Sequence, residues 1–523
     1  MNSLTGKRFF LVSSMLAAAV MLLGTAWICD DAFITLRVID NFVNGFGLRY
    51  NVIERVQVFT HPLWFWFLSP FYALTREAMV TTMLVSVLAS LGAMWLMAAR
   101  IAKNVEYGCL IVLVALASRT ICSFTTSGLE TPLTFLLLAL FVWQLYRPDK
   151  DGEPDKAWIP AGIAGLLLLN RLDLAVLVGP VLAYQMFRVR GGDRVKVAVA
   201  AIFPALAWMV FSVIYYGAPF PNTAYAKLGT GFSTVTLILR WLVYAKDFVL
   251  TDPLLALIIV KVAFDTLRSR DWLTRLLGAG IVLYVAYTIV IGGDFMSGRF
   301  FTPPGFLAVC LLARAPVPQW LTERVKWFAL IAVAGILAIL LAMRVTEKPY
   351  ASFPSNGITD ERRYYYLNNG LFPVVENWVA TGTEPVHPWG RRGLEFKSEA
   401  QSIGKPIVLV LGNSNAGMAG YYAGPEVHNV DKYALTDAFL ARLPALPNSR
   451  TGHYERTLPP GYAETALNAA PTTEIAALRP LLNDVMLATR APLFAEGRWD
   501  AIWRLLSGHY SWVYEADLYG ARK

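Results

Sequence analysis

The chain has 523 residues, 56% apolar, 13% aromatic and only 16% charged, with a mean hydropathy of +0.47. These values exclude an ordinary soluble domain and point to an α-helical polytopic membrane protein. The formal net charge is +9, but the basic residues recur in small clusters between apolar runs, as topology signals do, which argues against a nucleic-acid partner. The four cysteines, Cys29, Cys109, Cys122 and Cys310, fit neither a zinc motif nor a disulfide framework.

In chain order, residues 9–28 form an apolar stretch long enough to cross a hydrocarbon core of about 30 Å. Lys7 and Arg8 precede it, and Ala26-Trp27-Ile28 is a poor cleavage site, so it reads as a retained signal anchor with its N-terminus in the cytoplasm. Further apolar runs follow at 78–99, 106–121, 131–146, 157–170, 174–187, 197–215, 252–267, 274–291, 301–313 and 327–343, giving about 11 transmembrane helices. With the N-terminus inside, every expected inner loop is basic, including Arg100 with Lys103 and Arg188 with Arg190 and Arg194.

Residues 29–77 are then the first outer loop. Its apolar stretch at 61–74 is too short to span and reads as a helix lying in the membrane surface. Residues 32–45 read as a second interfacial helix, with Phe33, Leu36, Ile39 and Val43 opposite Arg37, Asp40 and Asn44. The transmembrane part ends near residue 343, and residues 344–523 are expected to form an extracytoplasmic domain. In it PIVLVL at 406–411, a Gly-rich segment and a strand at 427–430 suggest a small α/β element. Glycines 412, 417, 420 and 424 lack the spacing of a dinucleotide or P-loop fingerprint.

The residues that carry chemistry gather in the outer loops. Asp30 and Asp31 sit at the exit of the first span, where carboxylates beside lipid face a wet cavity and are functional, unless they merely end the helix. Thr125-Thr126-Ser127 and Glu130 read as a capping box with Ser127 as N-cap, a role compatible with Glu130 also serving the site. Arg171 and Asp173 form either a site or a structural ion pair. Asn222 to Lys227 and Gly292 to Arg299 complete the set, the two glycines also fitting a helix stop and turn.

Outside a membrane, glycosyl transfer needs a lipid-borne donor. A polyprenyl-phosphate sugar supplies the anomeric carbon and the phosphate leaving group. The chemistry calls for a base to take the acceptor proton, Asp30 or Asp31, and for cations at the departing phosphate. Arg299, Arg171 and Lys227 are the candidates, with Arg299 first for its fork geometry in a Gly-rich loop. His61, Glu130, Asp173, Asn222 and Asp294 are the candidate substrate-binding residues.

The ordered blocks DDAFITLRVIDNFVNGFGLRYNVIERVQVFTHPLW, TSGLETPL, NRLD, PFPNTAYAK and GGDFMSGRFFTP resemble the GT-C superfamily of polyprenyl-phosphate-dependent glycosyltransferases. Within it they are most similar to the actinobacterial-type terminal β-(1→2)-arabinofuranosyltransferases. The resemblance covers most of residues 25–310, with a weaker block from YYAGPEVHNVDKYALTDAFLAR to GHYERTLPPGY. It implies an inverting transfer to a cell-envelope glycan on the outer side of a bacterial inner membrane, with the family's acidic pair on Asp30 and Asp31 and the base among them undecided. It implies no certain cofactor: some members use a divalent metal, which Glu130 or Asp294 would complete, and this sequence shows no separate ligand cluster. A lipid-linked oligosaccharide ligase or polymerase and a lipid transporter are the other readings. The first does not require the acidic exit, and the second places charges on both membrane faces.

Overall fold

The computed structural model describes residues 3–147, 156–228, 232–317, 356–382, 387–411, 415–447 and 449–516, with isolated positions 333, 336 and 354. From the N-terminus run α1 (Ser3–Thr25), α2 (Asp30–Val43), α3 (Pro62–Thr75), α4 (Met79–Leu96), α5 (Val105–Ala117), α6 (Arg119–Phe124), α7 (Thr131–Leu145) and α8 (Trp158–Asn170). Then follow α9 (Leu174–Arg188), α10 (Gly192–Tyr216), α11 (Asn222–Leu228), α12 (Thr234–Thr251), α13 (Pro253–Leu267), α14 (Trp272–Val290) and α15 (Thr302–Arg314). Each apolar run up to residue 313 coincides with one of these helices except 106–121, which breaks at Ser118 into α5 and α6, and the run at 327–343 lies outside the described residues apart from positions 333 and 336. By length and composition α1, α4 with its π-helical continuation to Ile101, α10 and α14 suffice to cross a membrane, while α5, α7, α8 and α9 are shorter apolar helices.

The chain divides into two compact units. The first comprises Met1–Cys29, Glu77–Ala205 and Thr234–Pro385. Its helix starts are written in the sequence: Asn104 caps α5 through Tyr107 N at 2.7 Å, and Asp252 caps α13 through Leu255 N at 3.1 Å. The second oxygen of Asp252 also accepts Ser118 Oγ at 2.5 Å and Thr120 N at 2.8 Å, fixing the α5–α6 turn. Gly280 lets α14 approach α9 so closely that a Cβ there would lie 2.0 Å from Leu177 O, the small-residue contact usual between membrane helices.

Helix α12 is not among the expected spans, because Arg240, Lys246 and Asp247 interrupt its apolar pattern. Its inner face stacks Tyr244 and Phe248 on Phe301, with ring centroids 5.3 and 4.1 Å away. Val235, Leu239, Leu242, Val243 and Leu250 face outward, exposed.

The second unit comprises Asp30–Arg76, Leu206–Ser233 and Val386–Lys523. It contains the expected α/β element: β1 (Ile407–Leu411) pairs in parallel with β2 (Val427–Asp431), Ile407 opposite Val427, with the short helix Met418–Ala423 between them in sequence. Helix α3 carries exposed Trp66, Phe71 and Leu74, as a membrane-surface helix would.

Helix α2 corrects the expectation. It is buried along most of its length, and Arg37, read as outward-facing, is buried too. Arg37 donates to Tyr50 O and Val427 O, both at 2.7 Å, and to Gly420 O, while its guanidinium lies 4.5 Å over the Tyr50 ring. A charge so enclosed persists because carbonyls and a ring surround it. The outward polar residues are Asp40 and Asn44, whose side chains bond each other at 2.9 Å.

Candidate active site

Asp30 opens α2 directly after α1 and the short link that follows it, and its carboxylate is buried. One oxygen accepts Met418 N at 2.8 Å and the other Gly417 N at 3.2 Å. Burial lifts this carboxyl to about 7; the Met418 amide opposes the lift and the neighbouring Asp31 charge adds to it. Asp31, one residue on, is only partly buried.

The Gly-rich segment is thereby explained as packing. A Cβ on Gly417 would lie 1.9 Å from Asp30 O, and one on Gly420 would lie 2.0 Å from Tyr50 Oη, which donates to Ala416 O at 2.5 Å. Gly417→Ala is therefore expected to force the segment off Asp30 and to destabilise the protein by about 1–3 kcal/mol, the usual range for overpacking. Thermal unfolding of the solubilised protein measures this, and an unchanged Tm would refute the close packing.

In the first unit, Glu130, Arg171, Asp173, Asp294 and Arg299 come together. Arg171 makes a two-pronged contact with Asp173 (2.9 and 2.5 Å) and a bond to Glu130 Oε1 at 3.0 Å. Tyr284 Oη donates to Asp173 at 2.6 Å. This is the expected ion pair, extended to a second acid. Arg299 lies 3.8 Å from Glu130 Oε1 and 3.8 Å from Asp294 Oδ2, and its Nη1 donates to Met296 Sδ at 3.5 Å.

Its loop is built by consecutive left-handed glycines, Gly292 (φ +76) and Gly293 (φ +78), and by Tyr244, whose Oη accepts Phe300 N at 2.9 Å. The expected capping box is absent: Glu130 is itself the N-cap of α7 and makes no side-chain cap bond. The buried hydroxyls of Thr126, Ser127 and Thr131, with Asn170 Oδ1 and Asp294 Oδ2, bond no described residue. Orphaned polar atoms at this density fit a pocket that receives water or a polar ligand.

The remaining candidates lie in the second unit. His61 shares a 2.9 Å hydrogen bond with Thr35 Oγ1. Asn222 directs its Nδ2 at the carbonyls of Ala434, Leu435 and Asp437, at 2.8, 3.2 and 3.1 Å. Lys227 lies with Arg450 near half-buried His453, whose pKa is pushed down to about 3 by desolvation and the two cations. Among the described residues no three His, Cys, Asp or Glu side chains form a metal-ligand group. Glu130 and Asp294 instead face arginines, so this cluster does not fit a divalent ion. All four cysteines are buried thiols.

Sequence reasoning missed Arg37, Tyr50 and Tyr244. For Arg37 the signal was present: Asp30, Arg37 and Asn41 share one helical face, and Asn41 also turns inward to the carbonyls of Arg49 and Tyr50, at 2.9 and 3.1 Å.

No family model matches the chain. It is 26% identical over 569 aligned residues, covering 89% of each chain, to the terminal β-(1→2)-arabinofuranosyltransferase of Mycobacterium tuberculosis. It is 27% identical over 427 residues to the protein of the same description from Corynebacterium glutamicum, covering 70% of this chain and 60% of that one. In fold it is similar to the crystal structure of ArnT from Cupriavidus metallidurans in the apo state, with a TM-score of 0.51 and 15% identity over 83% of this chain and 88% of that one. The likeness to ArnT gives the chain an ArnT-like fold, and four of its described helices are long and apolar enough to cross a membrane. Its resemblance to the terminal β-(1→2)-arabinofuranosyltransferases, drawn first from the sequence blocks, holds over most of its length.

Proposed function

We propose that the chain transfers a sugar, arabinofuranose by analogy with its relatives' names, from a polyprenyl-phosphate donor to a hydroxyl of a cell-envelope glycan, with inversion at the anomeric carbon. The observation that carries this reading is the Asp30 carboxylate, fixed by two backbone amides and brought by burial to a pKa of about 7, suited to general-base work at neutral pH. Each carboxylate oxygen keeps a second lone pair for the acceptor hydroxyl. Asp30 takes the acceptor proton as the oxygen attacks the anomeric carbon. The bond from that carbon to the phosphate oxygen breaks, and polyprenyl phosphate leaves. Burial raises Asp30, and Asp31 adds a like charge to that effect.

Arg299, assisted by Arg171, recognises the donor phosphate, with Lys227 the third candidate. Glu130, Asp173 and Asp294 orient those cations, and His61 and Asn222 support the substrate loops. In this reading the chain has about 11 spans, residues 1–343 form the transmembrane part, and the active site and residues 344–523 lie on the outer side of a bacterial inner membrane. Reporter fusions after residues 104, 190 and 430 check this; a cytoplasmic reporter at 430 would overturn it.

The decisive assay supplies the full chain in nanodiscs with a short-chain prenyl-phosphoryl arabinofuranose and an arabinoside acceptor. The expected product is a new β-linkage, identified by NMR. Transfer from a lipid pyrophosphate oligosaccharide but not from the monophosphate donor would favour a ligase instead.

A further inference from the structure

The helix Arg498–Leu506 in the second unit has two unlike faces. Arg498, Ala501 and Ile502 are buried. Trp499 (43% exposed), Trp503 (71%) and Leu506 (39%) form a stripe on the opposite side, and Phe494, 80% exposed, stands just ahead of them. A contiguous apolar patch rich in tryptophan marks an interaction surface.

The buried face shows what that surface meets. Arg498 Nη2 donates to Tyr215 O at 3.3 Å, and its Nε to Ala488 O at 3.0 Å. Tyr215 lies in the last turn of α10, which is long and apolar enough to cross a membrane. At the following Gly217 (φ +77) a Cβ would lie 3.1 Å from the Ala488 side chain and 3.3 Å from that of Ile502. The tryptophan helix is thus packed on the C-terminal end of α10, the point at which a membrane-crossing helix would leave the hydrocarbon. On α10 itself Leu206, Val210 and Ile214, spaced four apart, are exposed, a lipid-facing stripe that runs to the same end. Indole rings favour the headgroup level of a bilayer.

We infer that the helix Arg498–Leu506 is a membrane-surface anchor, its tryptophans, Leu506 and Phe494 dipping into the leaflet at the C-terminal end of α10. The contact is aromatic and not electrostatic. Arg504 is engaged by Asp484 at 2.7 and 2.6 Å, Tyr510 donates to the same carboxylate at 2.6 Å, and the neighbouring Glu496 and Asp500 are exposed acids. Anionic lipid and salt therefore leave it unchanged. The anchor sets the depth of the second unit, and with it Asp30, relative to the lipid surface.

The test places a nitroxide on Trp503→Cys in the full chain, in phosphatidylcholine nanodiscs, with Glu464→Cys as an exposed reference. Collisions with oxygen should exceed those with a water-soluble nickel chelate at 503 and fall below them at 464. The ratio at 503 should not move with added salt or phosphatidylglycerol. Phe494→Cys provides a second position and should match 503. A label at 503 that behaves like 464, that responds to lipid charge, or that shows broadening from a second copy overturns the anchor.

Discussion

Asp30→Asn is expected to fold and insert nearly normally while transfer falls roughly 10²–10⁴-fold, the loss typical of a missing general base. The amide is close to the carboxylate in size and keeps an oxygen for Met418 N, whose 2.8 Å bond is the shorter of the two. The sign of the pH dependence follows from burial. With a carboxyl raised to about 7, the basic form grows as pH rises, so kcat/KM should climb through neutrality and level off above it. Asp31→Asn removes a like charge that holds Asp30 up; its activity should survive, and the rising limb should move to lower pH. Full activity of Asp30→Asn, or total loss in Asp31→Asn with normal folding, would transfer the base role or end it.

Arg299→Ala should lower kcat/KM by a factor of about 30 to 900, which is roughly 2–4 kcal/mol of transition-state stabilisation. Arg299→Lys should lose less, keeping charge without the fork. The reason to rank Arg299 above Arg171 is geometric. Arg171 is bonded to Asp173 and Glu130 at 3.0 Å or less and holds both acids in place, whereas Arg299 follows a loop turned by the left-handed Gly292 and Gly293, where backbone can approach a ligand closely. Arg171→Ala would take the closest cation from buried Glu130 and half-buried Asp173, and breaking a buried pair costs about 3–5 kcal/mol, so its effect should appear first as lost stability. Kinetics with a short-chain donor, beside thermal unfolding of each variant, separate the two. An unchanged kcat/KM in Arg299→Ala would place phosphate recognition elsewhere.

The apolar runs made the helices legible, since residues 131–146 and 174–187 correspond almost residue for residue to α7 and α9. The strand at 407–411, IVLVL, was equally plain as a short apolar, β-branched run, while that at 427–431, VHNVD, was marked only by its two valines after a glycine. Helix α12 was not, because its three charges conceal an apolar outer face that only the packing of Tyr244 and Phe248 reveals. The Arg171–Asp173 pair was readable from adjacency. The link from Arg171 to Glu130, 41 residues earlier, was not, because nothing local encodes it. Arg37 was misplaced for a related reason: an arginine on an amphipathic helix ordinarily faces water, and the carbonyls that enclose it come mostly from residues 420 and 427.

The bonds that cage Asp30 join residues 387 and 388 positions apart. A ribosome adding 5–20 residues per second finishes that interval roughly 20–80 s after Asp30 emerges. For all that time the acidic pair is made but unclasped, its carboxylate free of the burial that raises its affinity for a proton. The clasp on Asp30 is therefore incomplete until about four-fifths of the chain has been made, and a product terminated before that point would lack both amides that hold the carboxylate. Late completion keeps a reactive group from meeting donor lipid before the rest of the catalyst exists.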